Sequence, residues 1–222
     1  MIIRPTYMTE HFLNIIQSHV DFSKIDSILE VGSRDCAQAI ELSKKFTSAK
    51  IYCFEANPES AVVCRVNSKD YPNIRVIESA ALDVDGEIDF FPVDLATSPN
   101  KNIGASSMFK FSKLYQSIEA LTQKQIRVPC QRIDTWASKE NIQKFDLLWC
   151  DAEASDLLAL KGMGDLLLNL KALQVEVEFR EYHVGQTFYE DLHAYLLFRG
   201  FKNLYVDRNG FRSDAIYVNT KL

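Results

Sequence analysis

Two short apolar runs, each closed by a residue an ordinary strand does not need, limit what this chain can build. Residues 28–31 read Ile-Leu-Glu-Val and stop at Gly32, and residues 50–54 lead into Glu55. A strand, a glycine turn, a helix and an acid at the tip of the next strand make a nucleoside-binding half-sheet. The turn admits the ligand, and the carboxylate accepts hydrogen bonds from two ribose hydroxyls.

A dinucleotide site would show G-x-G-x-x-G, because its later glycines let the backbone approach a pyrophosphate seated on a helix N-terminus. Gly32 stands alone here, followed by Ser33, Arg34, Asp35 and Cys36. Asp35 at the helix start would repel a phosphate. S-adenosylmethionine carries none: its ribose suits Glu55, and its cationic methionine end suits a loop edged by Glu30. For this segment alone, a plain strand-turn-helix with an incidental glutamate stays open as the alternative.

The 222 residues suffice for one large domain with a real core. A net charge of −5 without a basic stripe gives no footprint for nucleic acid. The five cysteines, at 36, 53, 64, 130 and 150, contain no C-x-x-C pair and read as reduced thiols packing as small hydrophobes. Residues 1–9 lack a signal-peptide core, and no apolar run reaches membrane-spanning length. The expectation is a soluble, cytoplasmic protein. A homo-oligomer stays open.

Helical spacing of Tyr7, Phe12, Leu13, Ile16 and Val20 predicts an amphipathic helix within a 1–22 extension, ahead of a domain spanning 23–222. Strands are expected at 27–31, 50–54, 74–77, 87–91, 145–150 and 172–179, with helices at 35–46, 58–68, 113–121, 131–138, 157–170 and 186–199. Strands at 202–206 and 214–218 flank Arg208-Asn209-Gly210, a hairpin signal, so the sheet should end in an antiparallel edge strand. Alternation of strands and helices predicts a mostly parallel, Rossmann-like α/β sheet with helices on both faces. Residues 92–121 are rich in turn chemistry and read as a lid or substrate loop.

The ordered set Glu30-Val31-Gly32-Ser33-Arg34-Asp35, Phe54-Glu55-Ala56-Asn57-Pro58, Gly104-Ala105-Ser106-Ser107, Asp146 through Glu153, Leu160-Lys161-Gly162 and Val175-Glu176-Val177 resembles the FkbM family of class I S-adenosylmethionine-dependent methyltransferases. Two departures stand out. The family's Asp-x-Glu-Gly-x-Glu is Asp151-Ala152-Glu153-Ala154-Ser155-Asp156 here, and the second glycine of the first loop is Cys36. The resemblance implies methyl transfer to an oxygen, commonly a hydroxyl of a sugar or secondary metabolite.

On that resemblance, Glu55 would hold the ribose while backbone around Ala56, Ser79 and Ala80 frames the adenine. Gly32 would let the methionine part approach, with Glu30 near its ammonium group and Ser33, Arg34 and Asn57 completing the cofactor set. Asp151 and Glu153 would flank the transfer point, where mutual repulsion raises one pKa toward that of a useful base. The competing assignment makes Asp151 a helix cap and puts Glu153 in that helix's first turn. Asp151, Glu153 and Glu176 could instead hold magnesium or calcium, and no histidine or cysteine spacing supports zinc. His183, in a loop, would line the acceptor pocket. Two other classes compete: a nicotinamide dehydrogenase, opposed by the missing glycines, and a catalytically inert nucleoside-binding or assembly module of the same fold.

Overall fold

The computed structural model describes residues 5–222, with side-chain surroundings from Tyr7 onward, so residues 1–4 of the stretch read as lacking a signal core lie outside the described residues. Seven strands form the main sheet: β1 (Ser27–Val31), β2 (Lys50–Glu55), β3 (Ile74–Glu78), β7 (Leu147–Cys150), β8 (Ala172–Glu178), β9 (Phe201–Val206) and β10 (Arg212–Asn219). Their order is β3-β2-β1-β7-β8-β10-β9. Every residue of β1, β7 and β8 is buried, which both-faced covering of a parallel sheet requires.

Alternation along each strand divides the core. Ile28, Ile51, Cys53 and Trp149 face a layer built by α1 (Pro5–Ile16), α2 (Ala37–Lys45) and α3 (Pro58–Asn67), with Phe12, Ile16, Leu42 and Cys64 packed against them. Leu29, Tyr52, Phe54 and Leu148 face α5 (Ile133–Lys139), α6 (Asp156–Gly162) and α7 (Tyr189–Arg199). Trp136 meets Tyr52 and Phe54 edge-on there, at centroid separations of 5.3 and 5.0 Å. No helix among the described residues is long and apolar enough to cross a membrane.

Three details depart from the sequence expectation. The antiparallel strand is not the edge: β10 inserts between β8 and β9, pairing antiparallel with both. The helix expected over 157–170 breaks at Gly164, whose φ of +54° ends the α-turn and starts a 3₁₀ segment, Gly164–Asn169. Residues 126–131 form an unexpected strand, β6 (Ile126–Gln131), in a small second sheet with β4 (Ala80–Ala81) and β5 (Gly86–Phe90). Pro129 argues against a strand, but β4 reaches only Cys130 and Gln131, so at Pro129 one side of β6 is an edge that tolerates a missing donor. In residues 92–121, Val93, Ala105, Phe111, Tyr115 and Leu121 bury themselves with Tyr182 in a cluster of their own, while Ile103 and Gly104 line the crevice described below. This excursion, including the short α4 (Lys113–Glu119), is a packed unit lying over the carboxyl edge of the sheet.

Candidate active site

The carboxyl ends of β1, β2, β7 and β8 meet at one edge, where a parallel sheet opens its ligand crevice. Gly32 turns the chain there with φ +79°, and a Cβ on it would stand 1.8 Å from the Asp151 carbonyl oxygen. Only glycine fits so close an approach between β1 and β7. The turn is anchored to β2, since Gly32 N donates to Phe54 O at 2.9 Å and Arg34 N to Glu55 Oε2 at 2.6 Å. Glu55 Oε1 accepts from Asn57 N at 2.7 Å, which fixes the carboxylate in the wall of a cavity of about 570 Å³, its opening to solvent included. Burial raises the Glu55 pKa to about 7 against the opposing pull of the Asn57 and Arg34 amides.

Gly32, Arg34, Glu55, Ala56, Ser79, Ala80 and Asp151 line this cavity as expected, joined by Leu82, Phe90, Ile103 and Met108. Its walls suit an adenosyl group: apolar surface for a flat base, a carboxylate for a diol, and a turn with no side chain in the way. Three expected cofactor residues line neither this cavity nor the cleft beside it. Glu30 lies on the face of β1 that carries Ile28, because strand residues alternate; it is 1% exposed, and its Oε2 is buried without a hydrogen-bond partner. Ser33 is equally buried, its hydroxyl 3.4 Å from Phe54 O. Asn57 caps α3, its Oδ1 accepting from Glu59 N at 3.1 Å ahead of Pro58.

Below the turn, ligand atoms of Glu30, Cys36 and Cys53 lie within 4.8 Å of one another, a grouping that sequence spacing did not suggest. All five cysteines are free and buried, and burial pushes the Cys53 thiol up to about 12. Protonated thiols of this kind are inert packing groups.

A second, wider cleft of about 1780 Å³, its opening to solvent included, adjoins the cavity. Asp151 and Glu153 belong to both walls, as do Gly32, Arg34, Ile103 and Gly104. Neither acid serves α6: Ser155 holds its N-cap position, with the hydroxyl donating to Ala152 O at 2.8 Å, and Asp156 stands in its first turn, with Asp156 Oδ1 accepting from Ala152 N at 3.1 Å. Glu153 and Ala154 instead take left-handed conformations, φ +46° and +80°, which lift Glu153 out of the chain direction toward the cleft. Glycine at position 154 would adopt that φ without strain, so the Ala154 departure falls where the backbone is least tolerant.

Ligand oxygens of Asp151, Glu153 and Glu176 lie within 4.8 Å of one another, so the three expected metal ligands do converge. Burial raises Glu153 to about 8 and Glu176 well above the usual range, while Asp151 is raised by burial against the pull of Arg212 and Arg34. Arg212, which the sequence reading missed, enters this group from the start of β10, with Nη1 3.4 Å from Glu153 Oε2 and 3.6 Å from Glu176 Oε1. His183 is not an exposed loop residue. It is 1% exposed between Phe111 and Tyr115, at ring separations of 5.4 and 5.6 Å, and it lines neither cavity. Burial, then the charge of Arg212, lowers its pKa to about 4, so it is a neutral ring in the packing under the excursion.

Comparison with known proteins agrees with this geometry. Among solved structures, the N-terminal domain of EvdMO1, determined in the presence of SAH and D-fucose, aligns with a TM-score of 0.53 at 12% identity over 98% of this chain and 82% of its own. Aeropyrum pernix fibrillarin in complex with S-adenosyl-L-methionine aligns with a TM-score of 0.54 at 12% identity over 97% and 76%. These likenesses concern the fold. The 2-O-methyltransferase NoeI of Sinorhizobium fredii (strain NBRC 101917 / NGR234) is 27% identical over 203 residues, 88% of this chain and 80% of the relative. The sheet order, the single-glycine turn and the acid after β2 define a class I S-adenosylmethionine-dependent methyltransferase. More narrowly, the Methyltransferase FkbM domain matches residues 12–203, and the chain belongs to that family.

Proposed function

We propose that this protein transfers a methyl group from S-adenosylmethionine to a hydroxyl oxygen of a small saccharide. The reading rests on the shared wall: Asp151 and Glu153 stand between a smaller, more apolar cavity and a wider, more polar cleft, where two ligands would meet. The names of the relatives support the chemistry, one being a 2-O-methyltransferase and another a structure obtained with D-fucose. A cytosolic setting, in which five free thiols stay reduced, completes the proposal.

When bound, the cofactor supplies an electrophilic methyl carbon on sulfur. The protein's part is to hold the acceptor oxygen close to and in line with it and to take up the hydroxyl proton. In the proposal Gly32 admits the methionine end and Glu55 holds the ribose. Glu153 receives the proton at a carboxylate oxygen, its raised pKa matching it to that task. Asp151 stays at the junction and orients the acceptor.

The test is methyl transfer from S-adenosylmethionine carrying a labelled methyl group to a panel of fucose, other monosaccharides and short oligosaccharides, read as a mass gain of one labelled methyl on product. S-adenosylhomocysteine binding without transfer to any hydroxylated acceptor would instead favour an inert nucleoside-binding module. Binding of pyridine nucleotide alone would overturn the cofactor assignment.

A further inference from the structure

Arg212 belongs to no recognisable motif, yet the sheet carries it into the centre of the acidic cleft. Its backbone is fixed, because β10 pairs with β8 and sets Arg212 opposite Glu178. Its guanidinium lies 5.9 Å from the Tyr182 ring, and Nη1 is 3.4 Å from each oxygen of Glu153. Sequence reading treats a charged residue two places after an Asn-Gly turn as solvated surface. The structure makes it a half-exposed counter-ion to buried carboxylates.

The group around it has the dimensions of a cation site. A calcium- or manganese-sized ion takes oxygens at about 2.3–2.6 Å or slightly less, so two ligand oxygens across it stand at most about 5 Å apart. One oxygen each from Asp151, Glu153 and Glu176 meets that limit, all lying within 4.8 Å of one another. Glu176 adds an independent sign. Its Oε1 faces Arg212 at 3.6 Å, while Oε2 of the same carboxylate is buried with no hydrogen-bond partner, a ligand atom left over at the same spot. The guanidinium borders this group, with Nη1 3.4 Å from Glu153 and 3.6 Å from Glu176, and being weakly hydrated and tethered it requires no uptake from solution.

We propose that Arg212 is a built-in cation seated in a latent divalent-metal site formed by Asp151, Glu153 and Glu176, so that the wild-type protein needs no metal and loss of the guanidinium creates a protein that binds one. The role of these carboxylates in methyl transfer rests on the function proposed above, but the metal test does not.

The experiment uses full-length protein stripped with EDTA and titrated with Mn²⁺, read by loss of the free-ion electron paramagnetic resonance signal and by thermal unfolding. Wild type should take up no Mn²⁺ at micromolar concentrations and keep its melting temperature. Arg212→Met, which keeps the apolar stem, should bind one equivalent and gain several degrees at an ion concentration about 100 times its Kd. Arg212→Met with Glu176→Gln should lose that response. Circular dichroism establishes that each variant is folded, and Arg212→Ala serves as a second truncation if the methionine variant is not. Stoichiometric Mn²⁺ binding by wild type would overturn the proposal, as would folded Arg212 variants that bind none. Where an acceptor is in hand, EDTA should leave wild-type transfer unchanged, and Mn²⁺ should restore at least part of the transfer lost in Arg212→Met. Absence of transfer in wild type would sink the proposed function while leaving the Mn²⁺ result standing.

Discussion

Replacing Gly32 by alanine separates two costs that the structure assigns to one position. The added Cβ would lie 1.8 Å from the Asp151 oxygen and 2.7 Å from its carbonyl carbon, against backbone that cannot swing aside as a side chain would. Relief requires the turn to move by more than an ångström, which breaks the 2.9 Å hydrogen bond from Asp151 N to Val31 O. An L-residue in the left-handed region costs about 1–2 kcal/mol, and an unmet buried backbone group about 1–3 kcal/mol. The sum is about 2–5 kcal/mol, or a fall of about 5–20 °C in melting temperature for a chain of this size. Gly185 supplies the control: its φ is +84°, but a Cβ there meets nothing within 4 Å, so Gly185→Ala carries only the backbone cost, about 2–8 °C. Differential scanning calorimetry should show the Gly32 variant losing more than the Gly185 variant by about 1–3 kcal/mol, or about 2–12 °C. Isothermal titration at 15 °C should show S-adenosylhomocysteine affinity lost at Gly32 by more than about tenfold and unchanged at Gly185. Equal thermal shifts, or full affinity in Gly32→Ala, would refute the close-approach argument.

Glu55→Gln should weaken S-adenosylhomocysteine binding by about ten- to a hundredfold in calorimetry, since a charge-assisted acceptor for the ribose is lost while the side-chain shape is kept; unchanged affinity would remove Glu55 from the site. Glu153→Gln should keep cofactor affinity and lower turnover by about 10² to 10⁴. In wild type, turnover should rise with pH through about 8, a limb belonging to the Asp151, Glu153 and Glu176 group together, and the limb should vanish in Glu153→Gln. Stability of the ligand-free protein should run the other way. Glu30 and Glu55 are raised by burial from 4.5 to about 7, so between those values the folded state holds protons that the unfolded chain has released. Their contribution is complete below about pH 4.5 and is lost as pH rises through about 7; a melting temperature that climbs from pH 5 to 8, with no loss of slope in Glu55→Gln, would contradict it.

The parts of the fold readable from sequence are those where one local signal acts alone. Residues 27–31 and 50–55 alternate or run apolar and end at Gly32 and Glu55, so both strands and the turn between β1 and α2 could be placed from residue pattern. Pro58 after Asn57 marked the start of α3 in the same way. Signals that compete were harder. Pro129 concealed β6 because a proline disfavours a strand unless its neighbour is missing, and that depends on how far β4 extends. Glu30, Ser33 and Asn57 carried the right chemistry for a ligand but face inward, and a one-residue alternation decides this once the strand is placed. Glu30 shares its face with Ile28, an apolar core residue, so that signal was present in the sequence. Arg212 and the burial of His183 were beyond reach, for each depends on tertiary pairing: Arg212 on the insertion of β10 beside β8, His183 on the packing of Phe111 and Tyr115 against it.

A crystal structure with S-adenosylhomocysteine bound tests the central claim most directly. The account places the adenosyl group in the cavity walled by Ala80, Leu82 and Met108, the ribose hydroxyls on Glu55, and the sulfur at the junction where Asp151 and Glu153 face the open cleft. A ligand whose ribose contacts no carboxylate, or whose sulfur points away from that junction, would contradict it.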